Sequence, residues 1–161
     1  MVIAATDWAR LAAFLDGEGC ICVSIDGAKK PHHSKRYKLQ IEITNTDKAI
    51  VDWCKAVFGG NVYVKSHVGS GKSRRTCYMW VETGKQAANL LWGCLPYFIA
   101  KEKQAKTAIT FTWTFGTKYR RVPEDVNNAR EILYRHLRKL KEPKLEALLA
   151  ERKVEVPTYV Q

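Results

Sequence analysis

A chain of 161 residues, 46% hydrophobic and 11% aromatic, has the length of one globular domain and too much apolar content for a disordered chain. Its 27 Lys and Arg against 16 Asp and Glu leave a formal charge of +11, an excess that points to nucleic acid, with plain solubility as the other reading. Five cysteines, an odd number spread along the chain, form no disulfide framework and suit a reducing compartment. No apolar run nears the ~20 residues of a membrane span, and MVIAATDWAR lacks a secretory signal, so an intracellular setting with no membrane partner is expected.

Trp8, Leu11, Ala12 and Leu15 recur at helical spacing and predict a helix over 7–16, with Thr6 as N-cap and Gly17 and Gly19 ending it. A strand follows, with Ile21, Val23 and Ile25 on one face and Cys20, Cys22, Ser24 and Asp26 on the other. After a loop over 27–34, a second strand sets Leu39, Ile41 and Ile43 against Lys38, Gln40, Glu42 and Thr44. A helix over 47–58 stops at Gly59-Gly60, and two further strands, 61–67 and 75–83, flank the loop 68–74. Residues 85–92 read as a short helix, Pro96 opens a longer one to about Thr112, and 115–122 is a basic connector. Pro123 suits a helix start, with Val126, Ala129, Leu133, Leu137 and Leu140 as its buried side; a short helix over 143–152 ends a single domain over 1–152, followed by a tail over 153–161. Helix, hairpin, helix, hairpin and then helices make an α+β arrangement with an antiparallel sheet open on one side.

Lys29, Lys30, Lys35, Arg36 and Lys38 cluster at the first hairpin, and Lys65, Arg74, Arg75 and His67 at the second. Two basic hairpins beside polar strand faces suit a β-ribbon laid in a DNA groove, whereas either alone reads equally as a solvated hairpin. Ser24, Asp26, Gln40 and Glu42 complete the candidate DNA-binding set. Ala9, Ala12, Ala13 and Asp16 make a helix face of small side chains, which suits close approach of a second helix or an ordinary core. Asp16 and Glu18 sit at a helix C-terminus, where the dipole disfavours negative charge; a nearby cation would offset this, though a solvated turn acid is the bland alternative for Glu18. Cys20-x-Cys22 is too tightly spaced for a usual zinc site. The Gly-Ser-Gly-Lys-Ser stretch over 69–73 lies in a hairpin and lacks the P-loop context.

Residues 11–19, Leu-Ala-Ala-Phe-Leu-Asp-Gly-Glu-Gly, resemble the signature of the LAGLIDADG homing endonucleases, departing at Ala13, where that family often has Gly. The order αββαββα and the basic hairpins extend the resemblance over about residues 7–113, with the sheet as a DNA saddle. A single motif resembles the homodimeric branch of that family. The resemblance implies a site-specific double-strand DNA endonuclease, acting at a long near-palindromic site and encoded within an intron, in a prokaryotic cytoplasm or an organelle. It implies Glu18 and Gly17 as ligands of Mg²⁺, with Mn²⁺ as a substitute and Ca²⁺ supporting binding without efficient cleavage. Asn45 would position water, Lys101 would stabilise developing negative charge, and the place of a second basic residue falls to either Lys48 or Ala49. Trp8, Leu11, Ala12, Leu15 and Asp16 would form the dimer interface, with Asp16 structural. A non-cleaving DNA-binding protein or an RNA-splicing maturase with intron RNA as partner stands as the alternative.

Overall fold

The strands alternate as the sequence predicts, and that alternation decides which face of the sheet the helices cover. The computed structural model describes residues 2–26, 36–68, 75–115 and 122–141. Its elements are α1 (Ala5–Gly17), β1 (Gly19–Asp26), β2 (Arg36–Asn45), α2 (Lys48–Phe58), β3 (Asn61–Val68), β4 (Arg75–Thr83), α3 (Gly84–Cys94), a 3-10 turn (Leu95–Tyr97), α4 (Glu102–Thr112) and α5 (Glu124–Lys139). The four strands form one antiparallel sheet in the order β1-β2-β4-β3, so each hairpin supplies one central and one edge strand.

Ile21, Val23, Leu39, Ile41, Ile43 and Trp80 turn towards the helices and are buried with Leu11 and Leu15 of α1, Val51 and Cys54 of α2, Leu91 of α3 and Phe111 of α4. Burying such side chains stabilises the domain by roughly 1.5–3 kcal/mol each. Trp80 also satisfies its indole, donating from Nε1 to Gly59 O at 2.7 Å. Asp47 caps α2 by accepting from Ala49 N at 2.9 Å, and Gly59, at φ 80°, ends that helix. At Gly93 an added Cβ would stand 2.6 Å from the Trp8 ring, so glycine lets α1 and α3 close on each other. Arg130 is buried where α5 meets α4; its guanidinium donates to Thr114 O at 2.6 Å and Thr114 Oγ1 at 3.2 Å, closing the chain end that follows α4.

Some local expectations fail. The N-cap of α1 is Ala4, without a side-chain bond, so Thr6 lies inside the helix. The predicted helix from Pro96 to Thr112 is broken: after the 3-10 turn the chain is extended at Phe98, and α4 starts only at Glu102. On α5 only Arg130 and Leu137 are buried. The helix predicted over 143–152, the tail, and the hairpin residues Lys29, Lys30, Lys35 and Arg74 lie outside the described residues.

Ala12 is fully buried among these side chains. Ala12→Leu is expected to cost about 1–3 kcal/mol through overpacking, read as a lower urea midpoint in equilibrium unfolding.

Candidate active site and nucleic-acid interface

α1 ends without a residue in the left-handed region, because its last carbonyls find another partner. Glu18 closes the helix at φ −116° and ψ −8°, its N–H donating to Phe14 O at 2.9 Å. A Cβ on Gly19 would lie 2.6 Å from Leu15 Cα, so glycine is required for β1 to leave this close to the helix. The Lys101 ammonium then donates to three carbonyls: Leu15 at 2.5 Å, Asp16 at 2.9 Å and Gly19 at 2.8 Å. In return the Asp16 carboxylate accepts from the N–H groups of Ile99 at 2.7 Å, Ala100 at 3.3 Å and Lys101 at 2.8 Å. A cation meets the negative end of α1, and a carboxylate meets the positive end of α4. Burial pushes the Lys101 pKa down; the facing Asp16 opposes that shift, and the nearby Lys141 ammonium adds to it.

This exchange holds out the turn that carries Glu18. The Glu18 carboxylate is exposed and accepts from Asn45 Nδ2 at the end of β2. The other end of the Asn45 amide, Oδ1, accepts from Asp47 N at 2.8 Å. One side chain thus ties the carboxylate to the cap of α2, with the amide orientation fixed by both contacts.

Beside this turn lies the second face of the sheet. In register, Cys20 faces Glu42, Cys22 faces Gln40 and Ser24 faces Lys38; on the other side Gln40 pairs with Thr83, Glu42 with Val81 and Thr44 with Met79. Lys65 pairs with Cys77 and Tyr63 with Met79, so these residues share that face. Arg36, Lys38, Lys65 and Arg75 are exposed along it, Gln40 Nε2 donates to Glu42 at 3.0 Å, and Ser24 Oγ donates to Lys38 O at 3.4 Å. Asp26 and Arg36 are backbone partners, and His67 lies within β3 past a register shift after Lys65. At the outer edge the Lys141 ammonium, just past α5, donates to Cys20 Sγ at 3.0 Å. A bond with the Cys22 thiol, and then Lys141, pull the Cys20 thiol down to about 6 against the opposing effect of burial, while Cys22 moves the other way. Asn61 and Tyr63, the latter 52% exposed, also belong to this face and went unnoticed in the sequence, although their spacing from Lys65 is even.

Comparison with known proteins bears on this geometry directly. The sequence model described as LAGLIDADG endonuclease matches residues 11–108. The chain belongs to the LAGLIDADG endonuclease family. A comparison with curated proteins finds no match. Among solved structures, the homing endonuclease I-CvuI in complex with its target superposes with a TM-score of 0.67 at 19% identity, covering 88% of this chain and 85% of that one. The archaeal intron-encoded homing endonuclease I-Vdi141I complexed with DNA gives 0.68 at 17% identity, over 90% and 93% of the two chains. I-SmaMI bound to cleaved DNA gives 0.62 at 20% identity, over 94% of this chain and 49% of that one. These likenesses establish the αββαββα fold with its four-stranded antiparallel sheet.

Within the LAGLIDADG fold, the site residues expected from the sequence fall into two groups. Glu18, Gly17 and Asn45 come together at the helix turn, and Ser24, Lys38, Gln40, Glu42, Lys65 and Arg75 share the strand face. Lys101 also reaches this turn, its ammonium donating to three carbonyls of the motif, so the cation that offsets Asp16 at the helix end is this lysine. Lys48 is bound to Asp52 at 2.5 Å and stands 6.0 Å from the Tyr78 ring centroid. The interface set also needs correction. Leu11, Ala12 and Leu15 are fully buried in the chain's own core, and Trp8 packs 5.3 Å from Phe58, because the heptad-like spacing serves the internal face of α1. The face of α1 left outward carries Thr6, Arg10, Ala13 and Gly17 at helical spacing.

Asp16→Ala removes the acceptor of three backbone N–H groups and is expected to cost about 1–3 kcal/mol. The check is a lowered urea midpoint at unchanged slope, with Lys101→Met giving a loss of similar size.

Proposed function

We propose that this chain is a site-specific DNA endonuclease that hydrolyses phosphodiester bonds with a divalent cation, works as a homodimer and is encoded within an intron. The observation that carries the reading is the exposed Glu18 carboxylate, braced by Asn45 beside a strand face lined with cations and amides. The family assignment supports a nuclease, and the neighbours that share the fold were solved on DNA, I-CvuI in the presence of Ca and of Mg.

An all-oxygen donor set suits a hard cation. Among the described residues no group of three or more His, Cys, Asp or Glu gathers in one chain. Glu18 and the Gly17 carbonyl would therefore hold Mg²⁺ together with the second copy's carboxylate and phosphate oxygens of the substrate, with Mn²⁺ as substitute. Such a cation supplies activated water and offsets charge on the leaving oxygen. Asn45 holds the Glu18 carboxylate in place. Gln40, Lys38, Lys65 and Arg75 meet the duplex, the amide reading base edges and the cations meeting phosphates. Small Ala13 and Gly17 on the outward face of α1 allow a second copy's helix to approach closely, bringing two Glu18 turns together.

Glu18→Gln keeps the shape and the Asn45 contact and removes the charge. Cleavage of DNA carrying the intron-insertion sequence should fall to background in Mg²⁺, while binding measured in Ca²⁺ at fixed salt persists. Near-normal cleavage by the variant, or no divalent-dependent cleavage by the wild type, would refute the proposal. Ala13→Leu should shift the protein from dimer to monomer in sedimentation at micromolar concentration while leaving the monomer folded. A wild type that stays monomeric with and without DNA would refute the dimer.

A further inference from the structure

The fold sorts the five cysteines into two kinds. Cys54, Cys77 and Cys94 are buried, whereas Cys20 and Cys22 are partly exposed on β1, two residues apart and therefore on one face of the strand. That face is the polar one, because Cys20 pairs with Glu42 and Cys22 with Gln40. The two thiols are hydrogen-bonded to each other, with Cys20 the acceptor. Cys20 Sγ also accepts from the Lys141 ammonium, which reaches it from just past α5 at 3.0 Å. The cleavage chemistry proposed above uses neither sulfur.

Beside them β1 and α5 enclose a cleft of about 210 Å³, lined by Cys22, Val23, Tyr134, Leu137, Arg138 and Lys141. Val23 and Leu137 give it an apolar wall. Arg138 and Lys141 give it positive charge; both are exposed, and neither forms an ion pair among the described residues. Glu42, the acid across from Cys20 on β2, accepts from Gln40 Nε2 at 3.0 Å, so its charge is partly taken up on its own strand. A partly exposed sulfur with an ammonium on it and a cationic cleft beside it suits exchange with a small anionic disulfide. The cations draw such a reagent in, and Lys141 offsets the negative charge spread along the line of three sulfurs as exchange proceeds.

We propose that Cys20 is a thiol-exchange site, which takes up a small anionic disulfide beside the cleft between β1 and α5 and thereby closes the polar strand face to DNA. The Cys20 sulfur attacks one sulfur of the disulfide. A new S–S bond to Cys20 forms as that of the reagent breaks, the other half leaves as a thiolate with the bonding pair, and the Cys20 proton passes to solvent. The disulfide is itself the oxidant: half of it is reduced to a thiol while Cys20 becomes a mixed disulfide, and an added thiol reverses the step. The product places a bulky anion two residues from Glu18, on the face that the function proposed above gives to DNA. The effect on DNA rests on that reading; the exchange site does not.

The test incubates the full chain with oxidised glutathione, an anionic disulfide, or with cystamine, a cationic one, and follows adducts by intact mass and peptide mapping. Cys20 should be the first cysteine modified. Relative to their rates with a free cysteine peptide, oxidised glutathione should react about 10-fold faster than cystamine. Lys141→Met should lower that preference without changing the melting temperature, and Cys20→Ser should leave no fast-reacting thiol. Wild type carrying glutathione should bind a target selected from a random-sequence DNA pool about 10-fold more weakly in Ca²⁺, because an anion now faces the phosphates. Dithiothreitol should restore the affinity, and Cys20→Ser should bind alike with and without the treatment. An adduct appearing first on Cys22 or on a buried cysteine, or a preference undiminished in Lys141→Met, would overturn the site. Full DNA binding by protein carrying glutathione on Cys20 would overturn the closing of the strand face. A wild type that binds no member of the pool in either state would sink the endonuclease reading, and the mapping would still decide the exchange site.

Discussion

The reciprocal bonding of Asp16 and Lys101 is the constraint on which the site depends. A helix end leaves carbonyls without partners, and a carboxylate there meets the negative end of the dipole. Both problems are solved by one lysine from 85 residues further along the chain, whose own N–H is in turn held by Asp16. Because the two groups satisfy each other's helix ends, α1 cannot rotate or fray without freeing α4. The Gly17–Glu18 turn is therefore held from two sides, by Lys101 from the helix end and by Asn45 from the cap of α2. Under the proposed metal-binding role of Glu18, such bracing lowers the conformational freedom lost on binding.

The same constraint explains what could be read from the sequence. Strand alternation and the Gly59-Gly60 stop are local, and they appear in the fold where the sequence pattern put them. The motif at 11–19 and the face holding Lys38, Gln40 and Glu42 were legible for the same reason. The broken helix before Glu102 was not, because Pro96 looks like a helix start and the break is made by Asp16 reaching across the fold to Ile99, Ala100 and Lys101. The inner and outer faces of α1 were not separable either. Leu11, Ala12 and Leu15 and the outward Ala13 share an apolar stretch, and only the position of α1 over the sheet decides which of them meets the core. Lys141 carries no local signal at all; it gains a place beside the site only because the fold sets the end of α5 against β1.

The polar strand face has a similar history. Residues pairing directly across antiparallel strands share a face, so Lys65 implies Tyr63 and Asn61, and Arg75 implies Cys77 and Met79. The second hairpin therefore contributes an aromatic ring and a thioether as well as cations. The first hairpin contributes the Gln40 amide, the Glu42 carboxylate and two thiols, also alongside cations. Two hairpins of like topology thus differ in what they add to the shared face, Gln40 and Glu42 from the first and Tyr63 and Met79 from the second.

Charge pairing sharpens this division. Among the described residues, Arg10, Lys48, Lys106 and Arg135 form ion pairs, each with an acid three or four places away on its own helix. None of the strand cations Arg36, Lys38, Lys65 or Arg75 does, because the acid that shares their face most centrally, Glu42, is occupied by Gln40. Exposed helical pairs stabilise little, about 0.3–0.5 kcal/mol each, but they cancel charge locally. The strand cations therefore stand uncompensated on one face of the sheet, while helical cations such as Lys55, Lys85 and Lys103 are exposed elsewhere and likewise form no ion pair among the described residues. Under the proposed function, a polyanion meeting these cations on the sheet face would lie beside the turn that holds Glu18.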